Sequence, residues 1–418
     1  MGDPSGPRLA RRLGTGDAVV IGLGSMLGAG VFAAFGPAAR AAGAGLLVGL
    51  GLAAVVAFCN ATSSAQLAAQ YPASGGTYVY GRERLGPWWG YLAGWSFVVG
   101  KTASCAAMAL TFAAYAVPPA WQRPVAVLAV VALAVANSRG VTRTAGLSRV
   151  LLAVTLVALA TVVVAARAGG PGEAEPFGAL LDAGWYGTLQ SAGLLFFAFA
   201  GYARIATLGE EVRDPGRTIP RAIPLALGLA AALYAAVALS VLAVLGPEQV
   251  AATPAPLADA VAAAGWDRAA PVIRVGAAAA SLGALLALLA GVSRTALAMA
   301  READLPTWLA AVHPRFRVPH RAEAVVAVAV CLLVLTVDLR GAIGFSSFGV
   351  LLYYLVANLS AFTQQPAQRR YPRAVQVLGV AGCAVLAATL PWTSVLGGVV
   401  VVAAGVAYRL LRSRVSRP

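Results

Sequence analysis

The chain is short of charge, and shortest of lysine. Of its 418 residues only 11% are charged, against about 25% in soluble globular domains. With 60% hydrophobic residues and a mean hydropathy of +0.78, it has too little polar surface to cover a water-facing globule. That excludes a soluble domain and makes the bilayer its solvent. Histidine occurs twice, as His313 and His320 in one loop. With no cysteine or further histidine at ligand spacing, no metal site is expected. Nor is there a Ser/His/Asp set or a His-Glu-x-x-His motif, so no enzyme and no cofactor are expected. The four cysteines, Cys59, Cys105, Cys331 and Cys383, lack disulfide and zinc spacing and read as small buried hydrophobes. Lysine occurs once, as Lys101, beside thirty arginines. Arginine stays charged whatever its surroundings, whereas a buried lysine changes protonation readily.

What is present is a series of apolar runs. A membrane helix needs roughly 20 apolar residues. On that rule the chain predicts about twelve spans: 17–35, 45–66, 88–115, 123–136, 147–166, 186–208, 223–245, 271–300, 324–337, 343–362, 374–390 and 393–411. No small-residue cleavage site follows a short apolar core, so the first run reads as retained. The net charge of +15 does not mark a nucleic-acid binder, because the arginines are spread over alternate loops. Arg82 and Arg84, Arg213 to Arg221, Arg315 to Arg321 and Arg369 to Arg373 fall on one side; Glu173, Glu175, Glu248 and Asp267 fall on the other. The positive-inside rule then places both termini in the cytoplasm of a multi-pass plasma-membrane protein.

Two spans carry sequence that a continuous helix would avoid. The first reads Ile-Gly-Leu-Gly-Ser-Met-Leu-Gly-Ala-Gly-Val-Phe over 21–32. Each glycine weakens a helix by about 1 kcal/mol relative to alanine. One return is an unwound turn that exposes backbone groups to a substrate, with the restarting half-helix aiming its positive end at an anion. The other is close helix packing of the Gly-x-x-x-Gly kind, which Gly24 and Gly28 fit. A dinucleotide-binding glycine loop is excluded, since no strand precedes the run. The sixth span has Gly201 between aromatics, then Arg204 in mid-span. Interrupted helices at corresponding positions of two halves mark inverted-repeat transporters.

These residues resemble the amino acid–polyamine–organocation (APC) transporter superfamily. Gly-Ser-Met-Leu-Gly-Ala-Gly-Val-Phe (24–32) is similar to its broken first helix, and Ser-Gly-Gly-Thr-Tyr (74–78) with Gly86-Pro87 to the segment between its second and third helices. Phe196 to Gly201, then Glu-Glu-Val-x-Asp-Pro-x-Arg-x-Ile-Pro (210–220), is similar to its sixth helix and following loop. The resemblance implies a bacterial amino acid permease: an all-α membrane protein of the leucine-transporter type. Residues 1–16 would precede a core of two five-helix inverted repeats (17–363). Two further helices (374–411) and a tail (412–418) would follow. It implies that the amides around Gly28, Ala29 and Gly30 hold a substrate carboxylate. The carbonyls of Met26, Phe197 and Ala200 would take its ammonium group. Phe197, Gly201 and Tyr202 would line or gate the site.

The chain departs from relatives that carry an acid two residues after the sixth-helix glycine, where Ala203 stands. It departs too from those with a fifth-helix lysine, where Thr155 aligns. Lys101 falls in the third span instead. A cation in the pocket wall repels a cationic side chain by roughly 4 kcal/mol at 4 Å and an effective dielectric of 20, so neutral or acidic amino acids are expected. Burial disfavours the charged amine, which makes Lys101 a candidate proton carrier. Arg204 is expected to pair with Glu210 or Glu211 near the cytoplasm. The function expected is proton-coupled symport by alternating access. Exchange, and sodium coupling through Ser281 and Ser293 of the eighth span, stay open, as do a channel and a nutrient sensor as different classes. The partners expected are the amino acid and the lipid bilayer. The oligomeric state is not written in the sequence.

Overall fold

The computed structural model describes residues 13–71, 75–140, 145–169, 180, 182–206 and 212–415. Among them there is no β-strand; the one extended pairing is a bridge between Leu13 and Val212. The helices are α1 (Thr15–Met26), α2 (Ala29–Ala33), α3 (Phe35–Ala42), α4 (Leu46–Gln70), α5 (Thr77–Leu85), α6 (Pro87–Ala116), α7 (Gln122–Ser138), α8 (Ala145–Ala168) and α9 (Gly184–Phe199). They continue with α10 (Ala203–Ala206), α11 (Pro215–Ala252), α12 (Pro256–Ala263), α13 (Ala270–Arg301), α14 (His320–Thr336), α15 (Leu339–Phe362), α16 (Arg373–Thr389) and α17 (Trp392–Val415). All-α architecture suits a bilayer, because helices satisfy their backbone groups internally where no water can.

Among the described residues each predicted span falls mainly on helix. Among the described residues nine helical stretches are long and apolar enough to cross a membrane. The sixth, ninth and eleventh spans are shorter, as α9 with 16 residues, α14 with 17 and α16 with 17. Several boundaries moved. The first span is three pieces, α1 to α3, and the seventh begins at Pro215, eight residues early. Asp214, at φ 46°, turns the chain into α11. A break at Gly246 (φ 70°) ends the regular part of α11 where span 223–245 was placed. The expected tail is partly helix, since α17 continues to Val415.

The helices sort into a centre and a rim. α6 and α15 run against each other, joined by the Ser104–Ser346 hydroxyl bond at 2.6 Å. α4 packs on α9, α11 and α15, α13 on α6 and α8, and α2 reaches α6 and α9. Polar residues of α4 and α15, such as Asn60 and Asn358, are wholly buried. The rim helices α7, α8, α14 and α17 instead show large apolar side chains outward, among them Leu128, Val157, Val328 and Leu396. An apolar outer face with a polar interior is the arrangement of a membrane bundle.

Candidate functional site

Helix one breaks where its glycines cluster. α1 ends at Met26, and the Leu27 N–H closes the last turn on the Leu23 carbonyl at 2.8 Å. Gly28 leaves helical geometry (φ −83°, ψ −146°) and α2 starts at Ala29. Ala34 stays right-handed and its N–H bonds the Gly30 carbonyl at 2.9 Å, so α2 runs on into α3 as one half-helix. The first N–H groups of that half-helix, around Gly28, Ala29 and Gly30, have no partner one turn back.

Helix six breaks beside it. α9 ends at Phe199, Ala200 turns out (φ −65°, ψ 3°), and the Arg204 N–H bonds the Gly201 carbonyl at 3.1 Å. Two glycines bring the breaks together. A Cβ on Gly201 would lie 2.2 Å from the Ser25 carbonyl oxygen, and one on Gly30 would lie 2.5 Å from the Ala198 Cα. The backbones touch there, and only glycine leaves the room.

The carbonyls at this crossing are taken by side chains from other helices. The Tyr234 hydroxyl of α11 lies 2.7 Å from the Met26 oxygen and 2.9 Å from the Ala198 oxygen and donates its proton between them. The Met26 oxygen expected to take the substrate ammonium thus already accepts one hydrogen bond, from a tyrosine. Lys101 donates from Nζ to the Ala200 oxygen at 3.3 Å, and the Tyr354 hydroxyl is 3.5 Å from the same atom. Lys101 is 9% exposed. Expected in the pocket wall, its ammonium reaches the end of α9 at Ala200, where free carbonyls and the helix dipole favour a cation. Among the described residues it makes no ion pair.

The remaining expected residues divide. Phe197 is buried on the last turn of α9. Tyr202 is fully buried and stacks on Tyr354 with centroids 5.0 Å apart, as a packed aromatic. Thr155 is buried, but its hydroxyl donates to its own helix at Leu151, 2.8 Å away. Ser293 likewise donates to Leu289. The Ser281 hydroxyl is buried without a hydrogen-bond partner. Arg204 is exposed on α10. Its expected partners Glu210 and Glu211 lie outside the described residues, as does Ser74 of the loop motif.

Two features went unread in the sequence. One is a buried polar seam: Ser63 donates to the Asn358 Oδ1 at 2.7 Å, Asn358 to the Asn60 Oδ1 at 2.6 Å, and Cys383 to the same Asn60 oxygen at 3.3 Å. The cluster of Asn60, Ser63, Ser64 and Gln66 inside an apolar span was a visible signal of it. The other is a knot around Asp304, 7% exposed. Its carboxylate accepts from Arg82 at 2.9 Å, Tyr78 at 2.8 Å and Arg409 at 2.8 Å. The Arg409 guanidinium also stacks over Trp88 and Tyr91. Burial, then the Asp304 carboxylate, push the Tyr78 phenol upward, so it stays protonated and donates. The knot ties α5 and α17 to the end of α13.

Comparison with known proteins agrees with this architecture. The family model for amino acid permeases matches residues 17–413. A Mycobacterium tuberculosis protein named as an uncharacterized transporter is 60% identical, over 98% of this chain and 93% of its own. The branched-chain amino acid permease BcaP of Bacillus subtilis is 25% identical, over 97% of this chain and 94% of its own. Cationic amino acid transporter 7 of Arabidopsis thaliana is 27% identical, over 86% of this chain and 66% of its own.

Proposed function

We propose that this chain, which belongs to the amino acid permease family, carries amino acids across the plasma membrane by alternating access, driven by a proton gradient. The observation that carries the reading is the Ala200 carbonyl, which already holds an ammonium group, that of Lys101. It stands at the crossing of two interrupted helices, where a half-helix N-terminus is also free to meet a carboxylate. One set of backbone groups for each end of a zwitterion reads the amino-acid core and leaves side-chain choice to the pocket wall. The two breaks support an inverted repeat of spans one to five and six to ten, with both termini cytoplasmic on the arginine-rich side.

The substrate class rests on Lys101. While it is charged, Lys101 disfavours lysine, arginine and polyamines at the site, which leaves neutral or acidic amino acids. The names of the relatives point in different directions, one branched-chain and one cationic. The test is uptake by the full chain in proteoliposomes. Saturable uptake, competed by neutral or acidic amino acids and dependent on a pH gradient but not on sodium, is expected. Unitary currents, a sodium requirement, or arginine as the best competitor would overturn the reading.

A further inference from the structure

We infer that substrate ammonium and the Lys101 proton compete for one site, so that the carrier exchanges protons against amino acid rather than moving both together. The inference rests on the amino-acid reading above. Of the three carbonyls at the crossing expected to take the ammonium, those of Met26, Phe197 and Ala200, the first accepts from Tyr234 and the last from Lys101 at 3.3 Å. A second ammonium at the Ala200 oxygen would sit beside the first in a buried place. At an effective dielectric of 20 and about 4 Å the repulsion weakens binding roughly a thousandfold. No described carboxylate pairs with Lys101 to relieve it. The titratable groups beside it are the Tyr354 phenol of α15, on the same Ala200 oxygen, and Cys105 one turn along α6, with Tyr353 and Tyr202 packed on the Tyr354 ring. All of these are neutral when protonated.

The step balances simply. The N–H···O bond from Lys101 to Ala200 breaks, the ammonium passes its proton to water, and the substrate ammonium donates to Ala200. The neutral Lys101 amine becomes an acceptor for that same substrate group. After release on the other side, Lys101 takes a proton from that side and returns charged to the carbonyl. Each turn moves one amino acid one way and one proton the other. An acid exterior therefore drives amino acid outward, opposite to the symport expected from the sequence.

The test is isothermal titration of the purified full-length protein with L-leucine, L-alanine and L-glutamate, in two buffers of different ionisation enthalpy. Because the bound state holds fewer protons, affinity rises with pH. We expect about one proton released per amino acid bound, and affinity gaining up to tenfold per pH unit while Lys101 is charged. Lys101→Met should bind without releasing a proton and without pH dependence. Lys101→Arg, which keeps its charge, should bind at least a hundredfold more weakly. Binding by wild type with no proton release, or with proton uptake, overturns this inference and leaves the amino-acid site standing. Absence of binding by all three amino acids overturns the amino-acid site, and this inference with it.

Discussion

Replacing Gly201 with alanine should separate the two helix breaks. The new Cβ would stand 2.2 Å from the Ser25 oxygen and 2.6 Å from the Met26 nitrogen. Both are backbone atoms, so no flexible side chain can swing aside. Ordinary contact begins at 3.4 Å, so one break must retreat by about 1 Å, an overpacking that costs about 1–3 kcal/mol. The same movement would draw the Ala200 carbonyl from Lys101, now 3.3 Å away, beyond hydrogen-bond reach. Thermal unfolding of purified protein and initial uptake rates in proteoliposomes read the two effects. A clearly lower melting temperature and uptake reduced at least tenfold are expected. Gly228→Ala is the control, since its Cβ meets nothing within 4 Å in the middle of α11. It should be neutral or stabilising by up to about 1 kcal/mol. A Gly201→Ala protein that melts and transports like wild type would refute the claim that the breaks are in backbone contact.

Three further outcomes follow from particular contacts. Tyr234→Phe strips two buried carbonyls, Met26 and Ala198, of their donor; it should cost about 1–3 kcal/mol, read as a lowered denaturation midpoint, with slowed uptake. Asp304→Asn leaves Arg82 and Arg409 without their buried carboxylate. It should destabilise by roughly 3–5 kcal/mol and make α17 open to limited proteolysis; an unchanged cleavage pattern would count against the knot. Asn358→Ala orphans Ser63 and Asn60, and thermal melts should show a loss of about 2 kcal/mol or more from these unmet groups.

The order of the apolar runs and the site of both breaks could be read from the chain because each is a local pattern. An apolar run long enough to cross a bilayer and a glycine cluster inside one need no knowledge of neighbours. Lys101 announced itself by being alone. What could not be read was who meets whom across the bundle. Tyr234 looks like any aromatic in an apolar helix, yet it closes the first break from 208 residues away. Asn60 and Asn358 are 298 residues apart and meet through packing alone. Arg409 looked like one more positive charge at the end of the chain, and it is bound to Asp304, 105 residues earlier. The helix-four polar cluster was legible in principle; its partners were not.

The account's central claim is that an amino acid lies across the two breaks. The most direct measurement is a structure of the full chain with a bound amino acid, at a resolution that shows its carboxylate. The account predicts that carboxylate at the amides of Gly28, Ala29 and Gly30, the ammonium on the Ala200 carbonyl, and the Lys101 amine withdrawn from that oxygen. An amino acid bound elsewhere, or at this crossing with Lys101 still donating to Ala200, would contradict it.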